Sequence, residues 1–389
     1  MNIVVAVDSF KGSCSAEQAC AAITKGLTQY NSALNVIQIP IADGGEGLLQ
    51  ILKNSTQLKQ QQHHEIVVTG PYGQKVTASY ITISNHKAIL EMAQSCGLEL
   101  TPISQRNVLN ATSYGLGQML KHALEKGHRH IVIGLGGSAT NDGGIGFAQA
   151  LGARFFDVND NLIPEPASGK DLIRVHRVDV SALHPRLHEV VIEASCDVNN
   201  PLLGPTGATW IYGMQKGADR SALEQLELGM INFNQVMTST CNYNVDTIEG
   251  SGAAGGMGAA LHWFANGSLR PGIELVLELL DARQSIQNAD LIITGEGKLD
   301  KQSSFGKAPA GIAKLASEYN KPVVALCGSL GEGAEILYQH NINAMWSICP
   351  RPITLEAPMA EAENLLTHCT ESLIRTLDIG QKIAQSYQR

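Results

Sequence analysis

The sequence predicts an α/β protein with two domains, one a doubly wound parallel sheet built from both chain ends and one inserted between them. Three observations predict this class. Apolar, β-branched runs alternate with amphipathic helices near each terminus. Strand-like runs joined by short turns interrupt that alternation in the middle. The 389 residues exceed one ordinary core and suit two domains, which we place at 1–63 with 286–389 and at 64–285.

The N-terminal elements follow a β-α-β-α order. We predict a buried strand over 4–7, an amphipathic helix over 16–27, a second strand over 36–41 and a second helix that begins near Glu46. Parallel strands need a crossover connection, usually a helix, so this order predicts a parallel sheet.

The middle of the chain has a different pattern. Residues 65–93 contain three strand-like runs with short turns, which predicts an antiparallel meander. Residues 112–127 then have the spacing of a helix, and 128–137 have that of a strand.

Near the C-terminus the β-α alternation returns, which closes the first domain. The predicted elements are a strand and loop over 290–297, a helix over 308–319, a strand over 321–331, a helix over 332–341, a strand over 344–350 and a last helix within 360–377.

Charge and cysteine usage exclude several classes of protein. The net charge is −8 and no long basic run occurs, so we expect neither nucleic acid nor an anionic membrane as a partner. The eight cysteines form no C-x-x-C pair, which argues against a zinc site or a disulfide framework. No leader-like segment or apolar run of membrane-spanning length occurs, so we expect a cytoplasmic protein that acts on small molecules. The sequence does not specify an oligomeric state.

Three loops of the first domain follow predicted strands and carry carboxylates. They are DSFKG, ADGGEG and TGEGKLDKQSSFGK, and the first and third also carry lysines. In a doubly wound sheet, ligands bind beyond the carboxyl ends of the strands. Carboxylates that hold Mg²⁺, beside lysines that neutralise phosphate oxygens, are typical of phosphoryl transfer. The alternative interpretation is that these polar residues only end the strands. Three such loops at one edge of a sheet make that interpretation less favourable.

The stretch GLGGSATNDGG at 134–144 links a predicted strand to a predicted helix and contains five glycines. Its backbone N–H groups and the helix start predict an anion-binding loop. Thr140, Asn141 and Asp142 are also residues that favour helix N-caps, so part of the loop has a capping interpretation.

Two dinucleotide-type motifs offer an alternative function. Gly134, Gly136 and Ala139 match G-x-G-x-x-A, and a second match begins at Gly250 after a poor strand. An NAD(P)-dependent dehydrogenase is therefore one rival hypothesis, and a non-catalytic anion-binding module is another. No P-loop pattern occurs, and the nucleophile-elbow pattern G-x-S-x-G lacks its last glycine.

Two further residues are candidates for the site. Asp197 follows the apolar run VVIEA, again at a predicted strand end. Arg270, in LRPG, precedes a predicted helix and is suited to bidentate capture of a small carboxylate. An ordinary surface arginine is the alternative interpretation.

Seven motifs follow one another along the chain: DSFKGS, ADGGEG, GLGGSATNDGG, CDVNNPLLGPTGA, GSGAAGGMGAAL, LRPGIELVL and ITGEGKLDKQS. Each motif alone is weak evidence for a family, but their order and separations together are highly specific. The chain resembles the class I glycerate kinase family over nearly its whole length. The resemblance implies ATP- and Mg²⁺-dependent phosphorylation of D-glycerate to 2-phosphoglycerate. It also implies a flavodoxin-like first domain and an inserted domain with a restriction-endonuclease-like core.

We expect ATP and D-glycerate to meet in the cleft between the two domains, and we assign roles by residue chemistry. The catalytic candidates are Asp8, Lys11 and Asp197, with Asp8 or Asp197 as the base. The phosphate-binding candidates are Gly136, Gly137, Ser138, Ala139, Thr140, Asn141, Gly252, Gly255, Gly256 and Lys298. The glycerate-binding candidates are Ser9, Lys11 and Arg270. The Mg²⁺ candidates are Asp43, Asp197, Glu296 and Asp300.

Overall fold

The computed structural model describes residues 1–42, 47–54, 61–83, 86–304, 307–350 and 361–387. By its internal contacts the chain divides into two compact units. The terminal unit comprises Met1–Asp43, Asn54–Gln57 and Ile273–Arg389, and the central unit comprises Gly44–Lys53 and Leu58–Gly272. Over the described ranges, no helix has the length and apolar character that crossing a membrane requires.

The strands, in chain order, are β1 (Asn2–Val7), β2 (Asn35–Gln38), β3 (Gln61–Thr69), β4 (Lys75–Ile83), β5 (Lys87–Glu91), β6 (His130–Gly134), β7 (Arg154–Phe156), β8 (Arg177–Asp179), β9 (Val191–Ser195), β10 (Ser268–Arg270), β11 (Leu291–Leu299), β12 (Val323–Leu330) and β13 (Ala344–Ser347). The α-helices are α1 (Ala16–Tyr30), α2 (Leu48–Asn54), α3 (Ala93–Cys96), α4 (Tyr114–Glu125), α5 (Ile145–Ala150), α6 (Ala208–Tyr212), α7 (Arg220–Cys241), α8 (Ala253–Ala265), α9 (Gly272–Leu279), α10 (Ala282–Gln287), α11 (Ala308–Ser317) and α12 (Ala362–Tyr387).

The terminal unit contains one five-stranded sheet in the order β13-β12-β11-β1-β2. Every neighbouring pair in it is parallel. Helices α1 and α12 pack against one another on this sheet, and apolar side chains of both share a core with strand residues such as Val5. Gly26 permits their close approach, because a Cβ there would lie 2.4 Å from the backbone oxygen of Thr367.

The central unit contains a six-stranded sheet in the order β10-β9-β6-β5-β4-β3. Strands β10, β9, β6 and β5 are parallel, and β4 and β3 continue the sheet as an antiparallel meander. Its core includes Phe155, Phe233, Trp263 and Phe264, whose rings contact one another edge-on or tilted. The predicted α/β class with parallel sheets and the predicted meander are therefore confirmed.

Several element bounds differ from the sequence prediction. Strand β11 continues to Leu299, because β12 pairs with it up to Leu299 and Leu330, so Glu296 and Lys298 lie on a strand and not in a loop. The segment predicted as a helix over 332–341 forms a 3-10 helix at Ala334–His340. The last helix extends ten residues beyond the predicted end, to Tyr387.

Candidate active site

The carboxyl ends of β1 and β11 are neighbours in the terminal unit. Val7 is in register with Gly295, so Asp8, the first residue after β1, lies next to Glu296 of β11. The Asp8 backbone N–H donates to the Gly295 carbonyl at 2.9 Å. The Ser9 N–H donates to Oδ1 of Asp8 at 2.5 Å, which orients that carboxylate. This pairing therefore brings two predicted site residues side by side.

Glu296 is a buried carboxylate with a defined set of neighbours. It is 9% exposed, and the Ser303 hydroxyl donates to its Oε1 at 2.5 Å. The ammonium of Lys307 lies 3.8 Å from Oε2. Burial raises the pKa of Glu296, while the Ser303 hydrogen bond, Lys307 and Lys11 act in the opposite direction. Glu296 therefore lies within the electrostatic reach of two lysines.

Lys11 lies in a tight turn beside this carboxylate. Phe10 and Cys14 exchange backbone hydrogen bonds across the turn at 3.0 and 3.1 Å, and Gly12 adopts a φ of 78° within it. Phe10 is buried, whereas Lys11 is exposed. A Cβ on Gly297 would lie 3.5 Å from the backbone nitrogen of Lys11, so the turn runs alongside β11. The turn thus presents an exposed cation next to Glu296.

Lys298 and Asp300 form an ion pair at the end of β11, with Nζ 3.0 Å from Oδ2. The hydrogen bond from Lys298 lowers the pKa of Asp300. The Gln302 N–H also donates to Oδ1 of Asp300 at 2.9 Å. The predicted phosphate ligand Lys298 and the predicted metal ligand Asp300 therefore bind each other in this structure.

The residues at this edge fit a magnesium ion in part. No group of three or more metal-binding side chains is present among the described residues, and Asp43 lies outside them. Mg²⁺ is commonly held by only one or two carboxylates together with substrate phosphates and water. The adjacent carboxylates Asp8 and Glu296 supply such hard oxygen donors. Burial raises the pKa of Glu296, and a neighbouring cation would counteract that rise.

In the central unit, a row of residues crosses the carboxyl edge of the parallel strands. Glu91 is in register with Gly134, Gly134 with Ser195, and Ser195 with Arg270. The predicted residue Asp197 follows this row, and its Oδ1 accepts the Gly272 N–H at 2.8 Å. The row therefore brings Arg270 and Asp197 to the same edge of the sheet as the start of the glycine-rich loop.

Arg270 holds a carboxylate of its own chain. Its Nη1 lies 2.6 Å from Oε1 of Glu193, and the other oxygen of Glu193 bonds to His130. Burial alone would raise the pKa of Glu193, but the bonds from Arg270 and His130 give a net lowering. Arg270, which we predicted to bind the carboxylate of a substrate, thus binds the carboxylate of Glu193 in this structure.

The glycine-rich loop after β6 is mostly enclosed by protein. Ser138, Ala139, Thr140 and Asn141 are buried, whereas Gly136 and Gly137 are partly exposed. The Ala139 N–H donates to the Cys96 carbonyl at 2.8 Å, and the Asn141 side-chain amide donates to Thr209 at 3.1 Å. Among these predicted phosphate-binding residues, Gly136 and Gly137 are the ones with surface open to a ligand.

The start of helix α5 argues against a dinucleotide fingerprint in this loop. That fingerprint requires a helix to open within the motif, so that its N-terminus faces the pyrophosphate. Helix α5 begins only at Ile145, six residues after Ala139. The second motif, which begins at Gly250, follows residues that form no strand.

Lys216 is a buried residue that the sequence analysis missed. It is 2% exposed, and its Nζ donates to the Ser138 hydroxyl at 2.9 Å and to the Thr140 carbonyl at 2.7 Å. Burial lowers the pKa of Lys216 to about 7, and Asp142 opposes that shift. A neutral amine still carries the hydrogens for both bonds, so Lys216 ties down the glycine-rich loop in either charge state.

Asp142 is the buried carboxylate of the same loop. It accepts the Ser113 N–H at 2.8 Å and the Ser113 hydroxyl at 2.7 Å. It also accepts the N–H groups of Gly144 at 3.1 Å and Gly146 at 3.4 Å, near the start of α5. Burial raises the pKa of Asp142, and these hydrogen bonds counteract the rise. Asp142 therefore organises the turn into the helix.

The second glycine-rich segment, with Gly252, Gly255 and Gly256, is buried against the first. The Gly252 N–H donates to the Asn200 carbonyl at 3.0 Å, and the Gly255 carbonyl accepts the Gly143 N–H at 3.0 Å. A Cβ on Gly255 would lie 2.1 Å from the Thr140 oxygen. The predicted phosphate-binding glycines of this segment thus allow two backbones to approach closely.

We predict that Lys216→Met removes part of the pH dependence of stability. The folded pKa of Lys216 is about 7, below the ordinary value of 10.5, so the unfolded chain binds more protons between these values. This lysine therefore makes the free energy of unfolding rise with pH, by about 2 kcal/mol between pH 7.5 and 9. Urea unfolding at several pH values measures that rise.

The matched control is Lys121→Met, which replaces an exposed lysine of the same unit. That variant should keep the wild-type rise between the two pH values. An equal rise in Lys216→Met and wild type would show that Lys216 does not titrate in this range.

Comparison with known proteins agrees with the resemblance found in the sequence. A model of the glycerate kinase family matches residues 3–378. A glycerate kinase from Halalkalibacterium halodurans is 41% identical over 372 residues, covering 95% of this chain and 97% of the relative. The glycerate 2-kinase of Escherichia coli K12 is 40% identical over 385 residues, covering 99% and 100%.

A solved structure gives the same result for the fold. The crystal structure of a protein provisionally assigned as glycerate kinase 2, from Salmonella typhimurium LT2, is similar with a TM-score of 0.85 and 39% sequence identity. The similarity covers 98% of this chain and 99% of that one. The chain belongs to the glycerate kinase family.

Proposed function

We propose that this chain transfers the terminal phosphoryl group of ATP to the 2-hydroxyl group of D-glycerate, with Mg²⁺ as the metal ion. The observation that carries the proposal is the similarity to the E. coli glycerate 2-kinase, which extends over 99% of this chain at 40% identity. The carboxylates and lysines at the ends of β1 and β11 are the residue types that phosphoryl transfer requires.

We further propose that the terminal unit is flavodoxin-like. Numbered within that unit, its strands follow the order 2-1-3-4-5, which is the flavodoxin order. In that order the direction of chain progression reverses between the first and third strands, and ligands bind outside the carboxyl ends there. These strands are β1 and β11, which carry Asp8 and Glu296. For the central unit we propose the restriction-endonuclease-like core that the family resemblance implies.

In this proposal the terminal unit performs the chemistry at the transferred group. Lys11 offsets the charge on the phosphoryl oxygens, and Asp8 accepts the proton of the attacking hydroxyl. Asp197 is the alternative base. Glu296 would hold Mg²⁺, with Asp43, Asp197 and Asp300 as further candidates, and the ion when bound neutralises charge on the phosphate oxygens.

The proposal assigns substrate binding to groups of both units. The N–H groups of Gly136 and Gly137 are the best candidates for ATP phosphates, since both residues are partly exposed. Arg270 binds the carboxylate of glycerate, and Ser9 and Lys11 are the candidates from the terminal unit. Glu193 orients the Arg270 guanidinium for this task.

The function is tested by ADP release from purified protein supplied with ATP, Mg²⁺ and D-glycerate. We expect release that depends on D-glycerate and that stops when EDTA removes the metal ion. Parallel samples with NAD⁺ in place of ATP should show no NADH absorbance. ADP release that is independent of D-glycerate, or hydride transfer to NAD⁺, would contradict the proposal.

A further inference from the structure

A cavity of about 350 Å³ opens in the central unit beside Gly137. Leu49 of α2, Glu91 at the end of β5, Ala93 of α3 and the 3-10 helix Leu98–Leu100 contribute to its walls. Binding sites for organic ligands of ordinary size occupy roughly 300–1,000 Å³. The cavity is therefore large enough for a ligand bigger than glycerate.

The charged residues on its walls favour a neutral occupant over an anionic one. Glu91 and Glu99 line the cavity, and the described lining contains no lysine, arginine or histidine. Glu91 is almost fully buried and its Oε1 accepts the Leu49 N–H at 2.9 Å, whereas Glu99 is exposed and lies 3.9 Å from Nη2 of Arg106. Neither the triphosphate of ATP nor the carboxylate of glycerate suits such a site, whereas an uncharged group with N–H and O–H donors does.

The remaining wall residues suit a flat heteroaromatic ring. Leu49, Ala93 and Leu98 supply aliphatic surface, and Gln94 supplies a polar group. Oε1 of Gln94 accepts the Ser79 hydroxyl at 3.0 Å, so the group that Gln94 can offer a ligand is its amide NH₂ donor. An adenine base has apolar faces and ring nitrogens that accept hydrogen bonds at its edge.

The cavity shares its framework with the glycine-rich loop. The Leu98 N–H donates to the Gly137 carbonyl at 2.8 Å, and Gly97 pairs with Ser138 in an antiparallel bridge. A base held between these walls would direct its ribose and phosphates towards Gly136 and Gly137. We propose that this cavity binds the adenosine part of ATP, an inference that rests on the proposed kinase function.

The test fills the cavity. Ala93→Leu projects extra carbons into it from α3, and Thr77→Phe does so from an exposed position of β4 where aromatic residues suit the strand. Each variant should raise the KM for ATP by about tenfold or more, while the KM for D-glycerate changes little. Adenosine alone, titrated by calorimetry, should bind the wild type and not the variants. Ala182→Leu, at an exposed alanine of the same unit, is the matched control and should resemble the wild type.

The outcomes separate this inference from the proposed function. If the wild type phosphorylates D-glycerate and both cavity-filling variants keep the wild-type KM for ATP, the cavity assignment is overturned and the function stands. If the wild type lacks kinase activity but binds adenosine in competition with ATP, and the variants do not, the function fails and the cavity assignment is supported.

Discussion

Replacing Lys11 with alanine is expected to lower kcat by roughly 10²- to 10³-fold, which is the effect of losing one preorganised group that stabilises developing charge. Lys11 is exposed in a turn beside Glu296, where a transferred phosphoryl group would need a cation. The KM for ATP should change much less than kcat, because the charge to be stabilised develops in the transition state. Steady-state kinetics of the purified variant measures both constants.

A pH profile distinguishes this role from a general loss of structure. Burial raises the pKa of Glu296 and Lys11 counteracts that rise, so removal of Lys11 should raise this pKa further and shift the acid limb of kcat to higher pH. Lys25→Ala is the control, since Lys25 is an exposed lysine of α1 in the same unit. A turnover number in Lys11→Ala equal to that of Lys25→Ala would remove Lys11 from the mechanism.

Gly255→Ala is expected to lower the free energy of unfolding of the central unit by about 2–5 kcal/mol, adding a left-handed backbone penalty to an overpacking penalty. Gly255 has a φ of 74°, and an added Cβ would lie 2.1 Å from the Thr140 oxygen. The rigid backbone of the glycine-rich loop would have to move to accommodate it. Urea unfolding followed by tryptophan fluorescence is a suitable measurement, because Trp263 of α8 is buried nearby.

Gly73→Ala separates the two penalties. Gly73 has a φ of 84°, but an added Cβ there would meet no atom within 4 Å. That variant should therefore lose only about 1–2 kcal/mol, the backbone contribution. Equal losses in the two variants would show that an added Cβ at Gly255 carries no overpacking penalty.

The architecture was largely predictable from local patterns. Buried runs such as β1, followed by amphipathic helices, specify parallel pairing because few other connections are possible. The ordered motifs predicted the family, and the match to residues 3–378 confirms it. The end of β11 was not predictable, because Glu296 and Lys298 are polar and only the partner strand β12 extends the pairing.

The residues of the candidate site were harder to predict from the sequence than the architecture. Lys216 ends the short 3-10 helix Met214–Lys216, which has no periodic signal in the sequence. Its buried ammonium group donates to Ser138 and Thr140, which are far from it along the chain. The glycines in the segment from Gly252 to Gly256 were expected to bind phosphate. Their close contact with the backbone at Thr140 depends on the tertiary fold, which brings two distant segments together.

Asp8 and Glu296 could be predicted as neighbours because parallel strands end at one sheet edge.

The central claim is that this chain phosphorylates D-glycerate at its 2-hydroxyl group. The most direct measurement is proton-coupled ³¹P NMR of the product formed from ATP, Mg²⁺ and D-glycerate. Phosphate on the 2-hydroxyl couples to one carbon-bound proton and gives a doublet, whereas phosphate on the 3-hydroxyl couples to two and gives a triplet. We predict the doublet of 2-phosphoglycerate. A triplet, or a spectrum that contains only ADP and inorganic phosphate as products, would contradict the account.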